Sequence, residues 1–436
     1  MERRDPVPPQ PSHAGVPAPF GEALRFWSKL GWISFGGPAG QIALMHTELV
    51  ERRRWLSEER FLHALDYCML LPGPEAQQLA TYSGWLLHGA RGGIAAGALF
   101  VLPSVLVLLV LSWVYAAHGE VPAVAAVFDG LKAAVLAIVV VACARIARRA
   151  FRTRLMMLVA AAAFVALRFG GAPFPAVVLG AGLLGTVLGR LVPEALGNPG
   201  KKSASEDLIG PAPTWRRNLR VLLTCLLLWW MPVAAAFAWK GPDHFLPQQG
   251  VFFSKAAMVT FGGAYAVLPY VAEEAVEQRE WLEPGQMMDG LGLAETTPGP
   301  LVMVVQFVGF LGGWNHHGDW PPWLAGVLGA LMTTWVTFLP CFLWIFLGAP
   351  YIERLRGVPA LSAALATITA AVVGVILNLA VWFGWHTLVA PDGGLDLFAA
   401  LLGIASAVAL VRLRWDIVPV VLASGALGLA RHLLAG

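Results

Sequence analysis

Phe26-Trp27-Ser28-Lys29-Leu30-Gly31-Trp32-Ile33-Ser34-Phe35-Gly36-Gly37-Pro38 decides the fold, because most of its landmarks occur twice. A charged spacer leads from it to Trp55-Leu56 and then to Pro72-Gly73-Pro74. The pattern returns as Phe252-Phe253-Ser254-Lys255, Thr260-Phe261-Gly262-Gly263, Trp281-Leu282 and Pro298-Gly299-Pro300. Matched residues lie 226 positions apart, with no gap needed from Ser28 to Pro74. That period is too long for a solenoid. It marks an internally duplicated protein, and in an apolar chain it points to a transporter built from two halves.

The repeat continues after an insertion around Asn315–Pro322. Pro103-Ser104 matches Pro340-Cys341, and Val121-Pro122-Ala123 matches Val358-Pro359-Ala360, now 237 positions apart. Of the 436 residues 57% are hydrophobic and 13% charged, half the charged fraction of about 25% typical of soluble domains. Long apolar runs such as Val101–Val114 therefore predict a polytopic, all-α membrane protein. The 47 glycines and 31 prolines suit helices that pack closely or break. Four cysteines, Cys68, Cys143, Cys225 and Cys341, sit in apolar stretches without metal-ligand spacing. No metal site, cofactor, nucleotide loop or nucleic-acid surface is expected.

Residues 1–19 read as a disordered cytoplasmic tail, 20–196 as the first repeat, 197–245 as a basic linker plus an inverting helix, and 246–436 as the second repeat. Within the linker, 197–220 reads as polar chain, and 221–239 as the helix. Adjacent glycines and prolines interrupt the segments 24–50, 61–89, 252–272 and 286–313. In lipid, an interrupted helix survives only where it is buried in protein or lines a polar cavity.

Loop charges set the orientation. Residues 51–60 carry four arginines and 145–154 carry five, whereas their counterparts 273–283 and 382–392 carry one and none. Arg354 and Arg356 reverse the imbalance at 348–356. Equivalent loops thus lie on opposite sides, and the halves form inverted-topology repeats. If the tail and 51–60 are both inside, 24–50 and 61–89 enter and return as re-entrant hairpins. Two full crossings are the alternative. Trp55 and Trp281 read as interfacial anchors.

The breaks supply the candidate site. Lys29, Ser34, Gly36 and Gly37 recur as Lys255, Thr260, Gly262 and Gly263, and Pro72, Gly73 and Pro74 recur as Pro298, Gly299 and Pro300, preceded by Thr296 and Thr297. Half-helix N-termini expose amide N–H groups and a positive dipole end. Joined by hydroxyls and lysines, they make an anion site without a metal. Glu75 and Glu295 are candidate coupling groups, because a carboxylate at membrane depth is costly. Asp66 and Lys132, the other charges at that depth, are either coupling groups or a structural pair. No nucleophile–base or metal constellation suggests an enzyme.

Together these motifs resemble the chromate ion transporter family in its long two-domain form. The resemblance rests on Ser34-Phe35-Gly36-Gly37-Pro38, Trp55, Pro72-Gly73-Pro74 and Phe100-Val101-Leu102-Pro103-Ser104, and it covers nearly the whole chain. The second half departs from it at Ala264 and Cys341, where Pro38 and Ser104 stand in the first. The resemblance implies a multi-pass protein of the bacterial inner membrane that exports chromate and confers chromate resistance. Chromate and the chemically similar sulfate are the substrates it suggests; lipid, protons and a second copy of the chain are further expected partners. A sulfate or other anion transporter, or a proton-coupled antiporter, on the same architecture is the alternative.

Overall fold

The computed structural model describes residues 18–35, 37–119, 121–191, 214–351, 359–389 and 393–435. The first 17 residues of the expected tail, most of the expected linker and Gly36 lie outside them. Among the described residues, seven helices are long and apolar enough to cross a membrane. The protein is an all-α, multi-pass membrane protein.

The first half runs α1 (Phe20–Ile33), α2 (Gly37–His46), a π-helical turn (Thr47–Arg52), α3 (Glu58–Cys68), α4 (Glu75–His118), α5 (Pro122–Ala150), α6 (Arg154–Arg168) and α7 (Phe174–Leu191). After α8 (Trp215–Lys240), the second half repeats the order. It has α9 (Phe245–Val259), α10 (Ala264–Ala272), a π-helical turn (Glu273–Gln278), α11 (Pro284–Thr296), α12 (Val304–Asn315), α13 (Pro322–Gly348), α14 (Pro359–Leu388), α15 (Leu397–Val411) and α16 (Ile417–Ala435). Even the π turns coincide at 226 positions. α12 and α13 correspond to the two parts of α4, which is broken at His88 and Gly89, the glycine at φ 62°.

Local sequence explains the boundaries. Ser57 accepts a hydrogen bond from the Arg60 amide and caps α3. Pro284 opens α11 inside a reciprocal cap between Glu283 and Gln286. Thr214 caps α8, which therefore begins within the stretch read as linker: Arg216, Arg217 and Arg220 are helical.

Both hairpin pairs fold back so that their ends meet. Arg53, at the end of the first hairpin, lies 2.6 Å from Glu22 at its start. The guanidinium also covers the rings of Phe26 and Trp55, 5.0 and 4.8 Å from their centroids. His88 ends the next hairpin 2.7 Å from the Ala18 carbonyl oxygen, back where the chain entered. In the second half Arg279 donates to Gln248 at 2.9 Å and lies over Trp281, whose carbonyl accepts from Asn315. Trp55 and Trp281 are therefore not interfacial anchors. They are 6% and 2% exposed and fasten each hairpin against α1 or α9, because a buried indole face is a better seat for the clasping arginine.

The remaining helices exchange partners between halves. α5 packs against α15 and α16, α14 packs against α6 and α7, and α5 and α14 pack on each other. Small residues permit this approach: a Cβ on Gly130 of α5 would meet the Ser424 carbonyl at 2.1 Å. α8 has no counterpart and packs against α9 and α13.

Candidate functional site

The four breaks meet in two cross-half pairs, and each half completes the other. The Gly73 amide donates to the Thr260 carbonyl at 2.7 Å, and the Gly299 amide donates to the Ser34 carbonyl at 2.8 Å. These are symmetry-equivalent bonds. Each Pro-Gly-Pro break of one half satisfies a helix C-terminal carbonyl of the other, which would otherwise be stranded in a dry interior. Both glycines adopt φ values that L side chains rarely adopt, 116° at Gly73 and 106° at Gly299. Pro72, Pro74, Pro298 and Pro300 flank them and lack an amide proton of their own.

Neighbouring side chains reinforce the junction. Gln41 donates to both the Gly299 carbonyl at 2.6 Å and the Ser34 carbonyl at 3.2 Å. Gln78 donates to the Pro72 carbonyl at 2.7 Å. Gln41→Leu leaves the Gly299 carbonyl without this partner, a loss of about 1–3 kcal/mol. The expected result is a lower unfolding midpoint in detergent, read by thermal denaturation.

The hydroxyl protons are already committed. Ser34 and Thr260 donate back to Leu30 and Ala256, each at 2.6 Å. Thr296 and Thr297 donate to Leu293 and Ala294. What remains at the breaks is the early backbone N–H groups of α2 and α10. Gly37 and Gly263, at φ 70° and 95°, border space with no heavy atom within 4 Å of a built Cβ, and Gly262 has only Val372, at 3.9 Å. Lys29 and Lys255 occupy exposed faces of α1 and α9 and make no hydrogen bond or ion pair among the described residues.

The carboxylates divide. Glu295 is buried and accepts from the Tyr265 hydroxyl. Glu75 opens α4 beside Gln77, whose buried amide has no partner among the described residues. Lys132 bonds Asp129 at 3.0 Å on its own helix and stands against α11 near Gly285 and Asp289. Asp66 lies half-buried on α3.

Asp289 went unnoticed in the sequence although it is 4% exposed and accepts from Tyr115 at 2.8 Å. Its signal was there: a lone acid in Met287–Leu293 carries the same penalty that singled out Glu295. Among the described residues no group of three or more His, Cys, Asp or Glu could hold a metal.

The two faces of the junction differ. α10 packs on α14, and α11 packs on α5, closing the second-half side. Their equivalents α2 and α3 pack on α4. As a result Phe35, Leu62 and Met69 are exposed, where Met288 and Glu295 are buried and Phe261 is half-buried. The first-half side of the junction is thus less covered than the second-half side. A cavity of about 870 Å³ at the end of the second-half hairpin borders Glu273, Glu274, Arg279 and Trp281 but reaches none of the break residues.

Comparison with known proteins follows this architecture. The family model described as chromate transporter matches residues 21–186 and again 248–429. A chromate transport protein of Cupriavidus metallidurans is 29% identical over 407 residues, covering 93% of this chain and 91% of the relative. One from Pseudomonas aeruginosa is 32% identical over 375 residues, 85% of this chain and 80% of its own. A probable chromate transport protein of Synechococcus elongatus is 29% identical over 371 residues, 84% of this chain and 85% of its own. No solved structure matches the chain. With a duplicated family match that spans both hairpin sets and both helix bundles, the chain belongs to the chromate transporter family.

Proposed function

We propose that this chain is a secondary transporter, not an enzyme, that exports chromate across the bacterial inner membrane. The observation that carries the reading is the reciprocal bonding of the four breaks, with first-half residues exposed where their second-half equivalents are buried. Such a junction has two equivalent arrangements. In one, α2 and α3 stand away from the bundle while α10 and α11 close on it; in the other, the roles exchange. Inverted repeats give alternating access in this way.

A tetrahedral dianion suits the groups at the junction. Gly37, Gly262 and Gly263 let the backbone approach it, and the starts of α2 and α10 offer N–H donors. Gly36, outside the described residues, belongs to the same proposal. Ser34, Thr260, Thr296 and Thr297 hold the helix ends, while Lys29 and Lys255 add positive charge nearby. A potential of 100 mV, negative inside, favours expelling two negative charges by about 4.6 kcal/mol. Glu75, Glu295, Asp66 and Lys132 are the candidates for coupling.

Purified protein in liposomes provides the test. With an imposed potential, chromate uptake above protein-free liposomes is expected, with sulfate competing if the site reads only shape and charge. Sulfate uptake without chromate uptake would replace the substrate; uptake of neither would remove the reading.

A further inference from the structure

The arginines of the first half are not equivalent. Arg52 and Arg53 are neutralised by Glu48 and Glu22. Arg145 and Arg149 are exposed, and neither makes a hydrogen bond or ion pair among the described residues. Four residues apart on α5, their side chains leave one face of the helix about 5–6 Å apart at Cβ.

The course of α5 carries them toward the junction. α11 lies alongside it, with Gly285 against Lys132 and Gly292 against Leu131 and Val135. Farther along, Arg145 comes within electrostatic reach of Glu295, and Arg149 within reach of Glu75. The pair thus faces the carboxylates beside the second and fourth breaks.

The repeat supplies an independent view. Moved by 237 positions, Arg145 and Arg149 become Trp382 and His386 of α14. Those two line a cavity of about 540 Å³, together with Glu273, Glu277 and Arg168. Trp382 donates to Glu277 at 2.9 Å. Equivalent positions thus carry exposed guanidinium groups in the first half, and an indole and an imidazole beside two carboxylates and Arg168 in the second.

We propose that Arg145 and Arg149 form a capture site for a tetrahedral dianion on the arginine-rich face, and that the equivalent positions Trp382 and His386, beside Glu273 and Glu277, form none. The inference rests on the transport reading above and adds a direction to it. Two guanidinium forks present paired N–H donors that match the edges of an oxyanion. Glu75 and Glu295 balance their charge when the site is empty. On the far side, Glu273 and Glu277 outnumber Arg168 and favour the dianion's departure.

The same chemistry would fit the phosphate of an anionic lipid headgroup, so the test separates the two. Chromate uptake is measured in everted vesicles, which present the arginine-rich face, and in right-side-out vesicles. The comparison is between the native chain, R145Q/R149Q and R145K/R149K, with uptake normalised to inserted protein. A second set uses liposomes of phosphatidylcholine alone. The expected result is an apparent KM raised at least tenfold by the glutamine pair from the arginine-rich face only. Maximal rate should stay within about threefold, and the lysine pair should recover part of the affinity.

The same change in phosphatidylcholine is expected. An unchanged KM, a rise equal from both faces, or an effect confined to anionic lipid would overturn the capture site. If the native chain moves chromate and the double variant keeps its KM, the capture site fails and the transport reading stands. If the native chain moves no chromate, both fail.

Discussion

Gly299→Ala is expected to abolish transport while the protein still reaches the membrane. At φ 106° an alanine carries backbone strain of about 1–3 kcal/mol. Its Cβ would also lie 2.6 Å from the Ser104 Cβ, which sits on a helix and cannot swing aside. Overpacking of that kind costs about a further 1–3 kcal/mol. The strained residue is the one whose amide holds the Ser34 carbonyl, so relaxation separates the two halves at the site. Uptake per inserted molecule should fall at least thirtyfold. Adding Ser104→Gly relieves the clash but not the strain and should restore only part. Gly73→Ala meets the movable Gln78 amide and Cys341 sulfur at 2.9 and 3.0 Å, so its loss should be smaller. Half-normal uptake in Gly299→Ala would show that the cross-half bond is not needed for transport.

The second large effect belongs to Glu295→Gln. The amide oxygen still accepts from Tyr265 and the volume is kept, so stability should change by less than about 1 kcal/mol. Transport should nevertheless fall at least tenfold, because a carboxylate buried at membrane depth persists when its charge is used. Tyr265→Phe removes only the hydrogen bond and should leave most of the rate. Glu295→Leu, in contrast, strands the Tyr265 hydroxyl and costs about 1–3 kcal/mol. Uptake is measured under a potential alone and with an added pH gradient. Wild-type rates in Glu295→Gln under both conditions would make Glu295 structural.

Much of this arrangement could be read before any coordinates. The 226-residue period placed all four breaks, because glycine and proline act locally on the backbone. Loop arginines pointed to the inversion, and the clasps at Arg53 and Arg279 show the duplication in the structure. The exchange of hydrogen bonds between Gly73 and Thr260, and between Gly299 and Ser34, was not legible. It joins residues more than 180 positions apart and depends on how the halves dock. The tryptophans misled for a related reason: Trp55 and Trp281 look like interfacial residues until the arginine that covers each is placed. Arg145 and Arg149 were legible as positive-inside charge. Their proximity to Glu295 and Glu75 needed the packing of α5 along α11.

The most direct test of the central claim is chromate flux in everted vesicles held at an interior-positive potential. With the arginine-rich face outward, the account predicts saturable accumulation that collapses when the potential is removed and is absent in Gly299→Ala. No accumulation there, with potential-driven uptake in right-side-out vesicles instead, would contradict it.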